Sequence, residues 1–222
     1  MNGVSIHRCT QFSDEWKQLH HGIPTAGNFH KILTPTGRKS EQRKGYLFRL
    51  VAERLLNEFL PMRVSADKNL YWADRGLEME PIAIKAFEKE NNVQVERIGF
   101  VTSPHGRLGC SPEGLIVGKN ECVEIKSPAP WTQIEYLLEG PGTDYRPQVQ
   151  GQMLVGHFDC NHFYAFHPRM PRKYVLTLPD PGYMATLTQA LEDFLGELDE
   201  QTQKARELVV YIRAEEILNL RE

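Results

Sequence analysis

An α/β fold follows from three features of the 222-residue chain: a helical stripe ending near residue 91, short alternating strands over residues 93–126, and a closing succession of helix, two strands and a long helix. Helical patterns cover Ser13 to Leu19, Gly45 to Glu58 and Arg75 to Asn91. In the third, Leu77, Pro81, Ile84 and Phe87 recur at helical spacing with Glu80 among them, so the Glu80 carboxylate is expected to be partly buried. Glu78 shares the opposite, solvated side with Lys85 and Lys89. Strands are expected near Val93 to Val101, Arg107 to Ser111, Leu115 to Val117 and Cys122 to Lys126. A helix with proline in its first turn spans about Pro147 to His157, before strands His162 to Phe166 and Tyr174 to Leu178 and a long helix from near Pro181. Gly140 to Tyr145 reads as a mobile loop. With no repeat, low-complexity tract or linker to divide it, the chain reads as one domain over residues 1–222, helical near its start and closed by the long helix.

Composition limits the function classes. The hydrophobic content of 41% supports a sizeable core, and no apolar run is long enough to span a bilayer. The start lacks the charged and apolar blocks of a signal peptide. Cys9, Cys110, Cys122 and Cys160 are scattered, which implies reduced thiols in a cytoplasm and argues against a zinc ribbon or an iron–sulfur cluster. The net charge of −3 is unevenly spread. Arg38, Lys39, Arg43, Lys44 and Arg49 form a basic segment opened by the Pro35-Thr36-Gly37 loop, whereas residues from Glu192 to Glu222 are acid-rich.

Two strings carry the chemistry: Gly109-Cys110-Ser111-Pro112-Glu113-Gly114-Leu115 and Glu121-Cys122-Val123-Glu124-Ile125-Lys126-Ser127-Pro128. Strand alternation sets Glu124 and Lys126 on one face and Val123 and Ile125 on the other, in apolar surroundings. If Glu113 lies on the preceding strand, across the Gly118-Lys119-Asn120 turn, two hard oxygen donors meet beside a lysine, which suits metal-assisted phosphodiester hydrolysis. Alone, Glu-x-Lys is an ordinary exposed ion pair, and Glu80 alone is equally well served by an arginine. Their joint presence is harder to explain that way. Gln150 shares its helix face with Met153, Leu154 and His157, so its amide should lie against the core, bonded either to backbone or to a phosphate or a metal-bound water.

The ordered set of Glu80, Cys-Ser-Pro-Glu-Gly-Leu, Glu124-Ile125-Lys126-x-Pro128 and Gln148-Val149-Gln150 resembles the lambda-type phage alkaline exonucleases. This family is also called the YqaJ-like viral recombinases, within the PD-(D/E)xK nuclease superfamily. The resemblance extends through Glu15-Trp16-Lys17-x-Leu19, Gly22-x-x-Thr25-Ala26 and His167-Pro168-Arg169-Met170, over roughly residues 12 to 200. It implies a restriction-endonuclease-like core, a central mixed β-sheet flanked by helices.

The resemblance further implies that Glu113, Glu124 and the Ile125 carbonyl bind Mg²⁺, with Mn²⁺ as a substitute, and that Glu80 completes the site. It implies that Lys126, its pKa lowered by burial and the metal, orients or removes a water proton. The family's usual aspartate is here Glu113. A pocket for a terminal 5′-phosphate is matched at Ser111 and Gln150, while the family's arginine and serine align with His20 and Gly27; His20 or His21 and Thr25 or Asn28 are the candidate replacements. Arg38, Lys39 and Arg43 would approach duplex DNA. The implied activity digests one strand of linear double-stranded DNA from its 5′ end, as a ring-shaped homotrimer in a cytoplasmic phage or prophage setting. It delivers 3′ single strands to an annealing protein. The alternatives are a structure-specific endonuclease of the same superfamily and a DNA-binding module whose nuclease centre has decayed.

Overall fold

The computed structural model describes residues 3–60 and 69–219, without the side chains of residues 69–71, 73 and 209–219, so the end of the acid-rich segment lies outside the described residues. The chain runs through β1 (Ser5–His7), α1 (Asp14–His20), a 3-10 segment (Ala26–Lys31), α2 (Arg43–Leu56), α3 (Asn69–Asn91), β2 (Val95–Glu96) and β3 (Phe100–Thr102). It continues through β4 (Gly109–Cys110), β5 (Gly114–Ile116), β6 (Glu121–Lys126), α4 (Pro130–Glu139), α5 (Arg146–Gly156), β7 (Cys160–Ala165), β8 (Lys173–Thr177) and α6 (Pro181–Asn219).

A mixed sheet in the order β2-β5-β6-β7-β8 is the frame of the site. The β6–β7 pair is parallel and the other three pairs are antiparallel. Parallel neighbours need a crossover, supplied here by α4 and α5. Val123 and Ile125 point from β6 into a core with Ala83, Ile84 and Phe87 of α3 and with Tyr164 and Phe166. On the opposite face, Phe163 and Ala165 of β7 pack against Tyr136 of α4 and Val149 of α5. The fold is therefore α/β, a mixed sheet flanked by helices.

A second, three-stranded sheet, β1-β3-β4, packs with α2, α5 and α6 around the largest core cluster. On α6 the buried residues Tyr183, Leu187, Leu191, Phe194 and Leu198 recur at three and four positions, and Phe194 stacks on Tyr46 of α2 at 5.7 Å. Gly151 lets α5 lie close to the 3-10 segment: a Cβ there would stand 2.5 Å from Phe29 and 3.2 Å from Ala26.

Several sequence expectations are corrected. The strand expected over Val93 to Val101 is two strands, because the chain leaves the five-stranded sheet after β2 and joins β1 at His7↔Phe100. Gly99 makes the change of sheet, where a Cβ would meet the Cys9 carbonyl oxygen at 2.2 Å. Strand β1 and helix α4 were not anticipated; α4 starts with Pro130 and buries Gln133 and Tyr136. In α3, Ile84 and Phe87 are buried as expected, but Pro81 is exposed and Leu77, 52% exposed, borders an open cleft rather than the core. Arg43 is buried, its guanidinium pairing with Glu197 of α6 and lying over Phe194, so only Arg38, Lys39 and Lys44 of the expected DNA-facing segment are exposed.

Candidate active site

The β5–β6 hairpin positions the acids. It turns through Gly118, in the left-handed region at φ +78°, and pairs Gly114 with Val123, while the Glu113 amide donates to the Val123 carbonyl at 2.9 Å. Glu113 thus stands beside Glu124, on the face that also carries Lys126. Glu80 reaches the same point from α3 and sits against the Glu113 carboxyl. These four groups are brought together. Glu80, Glu113, Ile125 and Lys126 line a cleft of about 300 Å³ with Trp72, Leu77, Pro128 and Tyr145.

Glu124 is 1% exposed and held from three sides: Gln148 Nε2 donates at 2.7 Å, Gln152 Nε2 at 2.6 Å, and Lys126 Nζ approaches to 2.5 Å. The two glutamines stand four residues apart, so both face β6. Gln152 is itself fixed by Asn161 of β7, whose amide donates to its carbonyl oxygen at 2.6 Å. Glu113 is less well served, since its Oε2 is buried with no hydrogen-bond partner. Burial first, then the charges of Glu124 and Glu80, hold its carboxyl well above the usual carboxylate range. Glu80 also pairs with Arg97, the role that the arginine alternative anticipated.

Burial acts to lower the Lys126 ammonium, but the charge and hydrogen bond of Glu124 outweigh it, so the group is held above the ordinary lysine range. It stands 5.2 Å from the centre of the Tyr145 ring as a cation.

The three residues expected to bind a 5′-phosphate are not brought into one pocket. Gln150 is buried, donating to the Leu178 carbonyl at 2.9 Å and accepting from the Asp180 amide at 2.9 Å, a face away from Gln148. Ser111 Oγ accepts from Trp16 Nε1 at 3.0 Å. His20 packs against Trp16, Phe59 and Phe100; burial, then the Arg49 guanidinium, pushes its imidazole down to about 4, so it carries no charge near neutrality. Gly27, the other substituted position, instead opens into a second cleft of about 520 Å³ with His30, Ser40, Asp144, Tyr145 and Gln148. Tyr145 borders both clefts. Arg38 and Lys39 are exposed on a tight hairpin beside it, closed by Thr34 and Arg38 backbone bonds.

Sequence reasoning missed Gln148, Gln152 and Tyr145 as parts of the site. The i, i+4 spacing of the two glutamines was a readable signal. It also missed the Trp72–Trp131 pair, edge to face at 5.3 Å, where Trp131 is 65% exposed beside the first cleft.

Comparison with known proteins agrees with this fold. The structure of an alkaline exonuclease from Laribacter hongkongensis, LHK-Exo, superposes with a TM-score of 0.78 at 25% identity, covering 90% of this chain and 100% of that one. A second structure of LHK-Exo, in complex with dAMP, superposes at 0.79 with the same identity and coverage. A phage related exonuclease from Haemophilus somnus shares the fold at a TM-score of 0.63 and 13% identity, over 84% of this chain and 98% of that one. A search of curated protein sequences finds no match. Among the described residues, no helix is long and apolar enough to cross a membrane. The YqaJ-like viral recombinase domain matches residues 15–159, about two thirds of the chain, and the chain belongs to that family.

Proposed function

We propose that this protein is a metal-dependent DNA exonuclease that digests one strand of linear double-stranded DNA from its 5′ end. It leaves 3′ overhangs for a single-strand annealing protein in phage-type recombination. The observation that carries the reading is the convergence of Glu80, Glu113 and Glu124 with Lys126 at one end of β6, with the Glu113 Oε2 atom buried and unpartnered. Family membership and the likeness to LHK-Exo support it.

The donor set fits a hard divalent cation, since an orphaned buried carboxylate oxygen among three acids is what such an ion would satisfy. Glu113, Glu124, the Ile125 carbonyl and Glu80 would hold Mg²⁺, with Mn²⁺ as a substitute. When bound, the ion supplies Lewis-acid polarisation of the scissile phosphate. Gln148 and Gln152 fix both oxygens of Glu124 and so hold its carboxylate in one orientation. Lys126 holds its proton and offers a positive charge and N–H donors to a phosphate oxygen. Tyr145 separates the first cleft from the second, where Gly27, Ser40 and His30 leave room for the strand end. Arg38 and Lys39 supply phosphate contacts to the duplex, and a homotrimeric ring in a cytoplasm is the assembly and setting we assign.

One observation favours a second reading. Gln150 bonded to Leu178 and Asp180, together with an uncharged His20, weakens recognition of a 5′ end and favours a structure-specific endonuclease. A linear duplex labelled separately at each 5′ and 3′ end decides between them. Mononucleotide release from the 5′ label with Mg²⁺, lost in chelator, is the expected result. Internal fragments without early 5′ release would replace the exonuclease with the endonuclease.

A further inference from the structure

The opposite end of β6 carries a different donor set, on the other face of the sheet. Glu121 lies across from Cys160 in the parallel β6–β7 register, and His162 follows two residues later on the same face. A ligand atom from each of these three residues lies within 4.8 Å of the others. His162 Nε2 is 3.6 Å from Cys160 Sγ and 2.9 Å from Glu121 Oε2. The other ring nitrogen, Nδ1, is 2.9 Å from the Tyr174 hydroxyl, and the Tyr174 and Phe87 rings flank the imidazole at 5.9 and 5.7 Å.

We propose that Glu121, Cys160 and His162 form a zinc-class metal site that clamps the starts of β6 and β7, separate from the carboxylate centre. A tetrahedral ion about 2.3 Å from sulfur and about 2.0 Å from nitrogen sets those two atoms about 3.5 Å apart, close to the 3.6 Å observed. To take a third vertex the Glu121 oxygen needs to retreat from His162 by about 0.4 Å and to sit about 3.5 Å from the Cys160 sulfur, which it already approaches to within 4.8 Å. A thiolate, an imidazole and one carboxylate select a borderline ion such as Zn²⁺ over Mg²⁺, unlike the all-oxygen set at the other end of the strand. Tyr174 supplies the outer-sphere bond that fixes the tautomer and presents Nε2 inward. Cys160 and His162 are largely buried, which leaves the fourth vertex to water from the side of the exposed Asp159. Lys119, 3.4 Å from Glu121, is exposed and free to swing away when a cation arrives. Binding releases the Cys160 proton and joins two strands that are neighbours in the sheet but distant in sequence.

The test is a Co²⁺ titration of the chelator-treated full chain, followed by absorption spectroscopy. One equivalent should give a thiolate-to-cobalt charge-transfer band, displaced by one equivalent of Zn²⁺. The band should be lost in Cys160→Ser, form at least tenfold more weakly in His162→Gln, and persist in Cys9→Ser and Glu113→Gln. The last variant separates this site from the proposed nuclease centre, whose oxygen ligands give no such band. Circular dichroism establishes that each variant is folded. The thermal midpoint should rise with Zn²⁺ in the parent and not in Cys160→Ser. No charge-transfer band in the parent, or an equal band in folded Cys160→Ser, overturns the proposal.

Discussion

Replacing Glu113 with glutamine should make the metal-free protein more stable while removing its activity. The parent side chain places an oxygen with no hydrogen-bond partner between two other carboxyls, in a site where burial already disfavours charge. An amide of the same shape cannot ionise and brings an N–H that can donate to Glu80. An unsatisfied buried acceptor costs about 1–3 kcal/mol, more when ionised, so Glu113→Gln should gain at least about 1 kcal/mol at pH 7.5 in chelator. Urea unfolding followed by circular dichroism measures this, provided the slopes of the two transitions agree. Added Mg²⁺ should stabilise the parent by mass action and the variant much less. Cleavage of linear duplex should fall at least about a hundredfold. A variant less stable than the parent in chelator would show that the acid cluster is satisfied without a cation.

Lys126→Ala should likewise lose at least about a hundredfold in cleavage with little change in fold; parental digestion rates would remove the lysine from the mechanism. Replacing Arg38 and Lys39 with alanine should weaken duplex affinity and flatten its salt dependence, read by titration at several salt concentrations. By contrast, Arg43→Ala should destabilise the fold by about 2 kcal/mol or more through loss of the Glu197 pair, measured by urea unfolding. His20 gives a pH test: its folded value of about 4 lies below the unfolded value of about 6.5. The unfolded chain therefore binds a proton first, and stability falls as pH drops from about 6.5 toward 4, by up to about 3 kcal/mol. His20→Phe should reduce that slope, and equal slopes in parent and variant would show a solvated ring.

What was legible in the sequence depended on the range of the interaction. The period-2 pattern of β6 is local, and it placed Glu124 and Lys126 opposite Val123 and Ile125 as the structure has them. The helical stripe of α3 located Glu80 correctly at the buried edge, yet it overran at Leu77, because periodicity does not show where a core gives way to an open cleft. Arg43 sits in a basic run, and its burial depends on Glu197, 154 residues away. The neutrality of His20 depends on Phe59 and Phe100, equally invisible to a local pattern. Among the three glutamines of α5, helix phase separates Gln150 from Gln148 and Gln152, but only the position of β6 shows which pair meets the acid. For Lys126, the local strand pattern shows burial but not how strongly Glu124 opposes its effect on the ammonium.

Gly151 never approaches the cleft, yet it governs what happens there. The missing side chain lets α5 settle against Phe29 and Ala26, and the same helix carries Gln148 and Gln152 to both oxygens of Glu124. A methyl group at this position would shift the helix by a few tenths of an ångström or more, about the difference between a strong amide–carboxylate bond and a weak one. In an activity screen, Gly151 would therefore score as indispensable alongside the acids themselves. A mutational map of this protein should accordingly show a hot spot at a residue without a side chain, marking a distance that the fold must keep rather than a group that reacts.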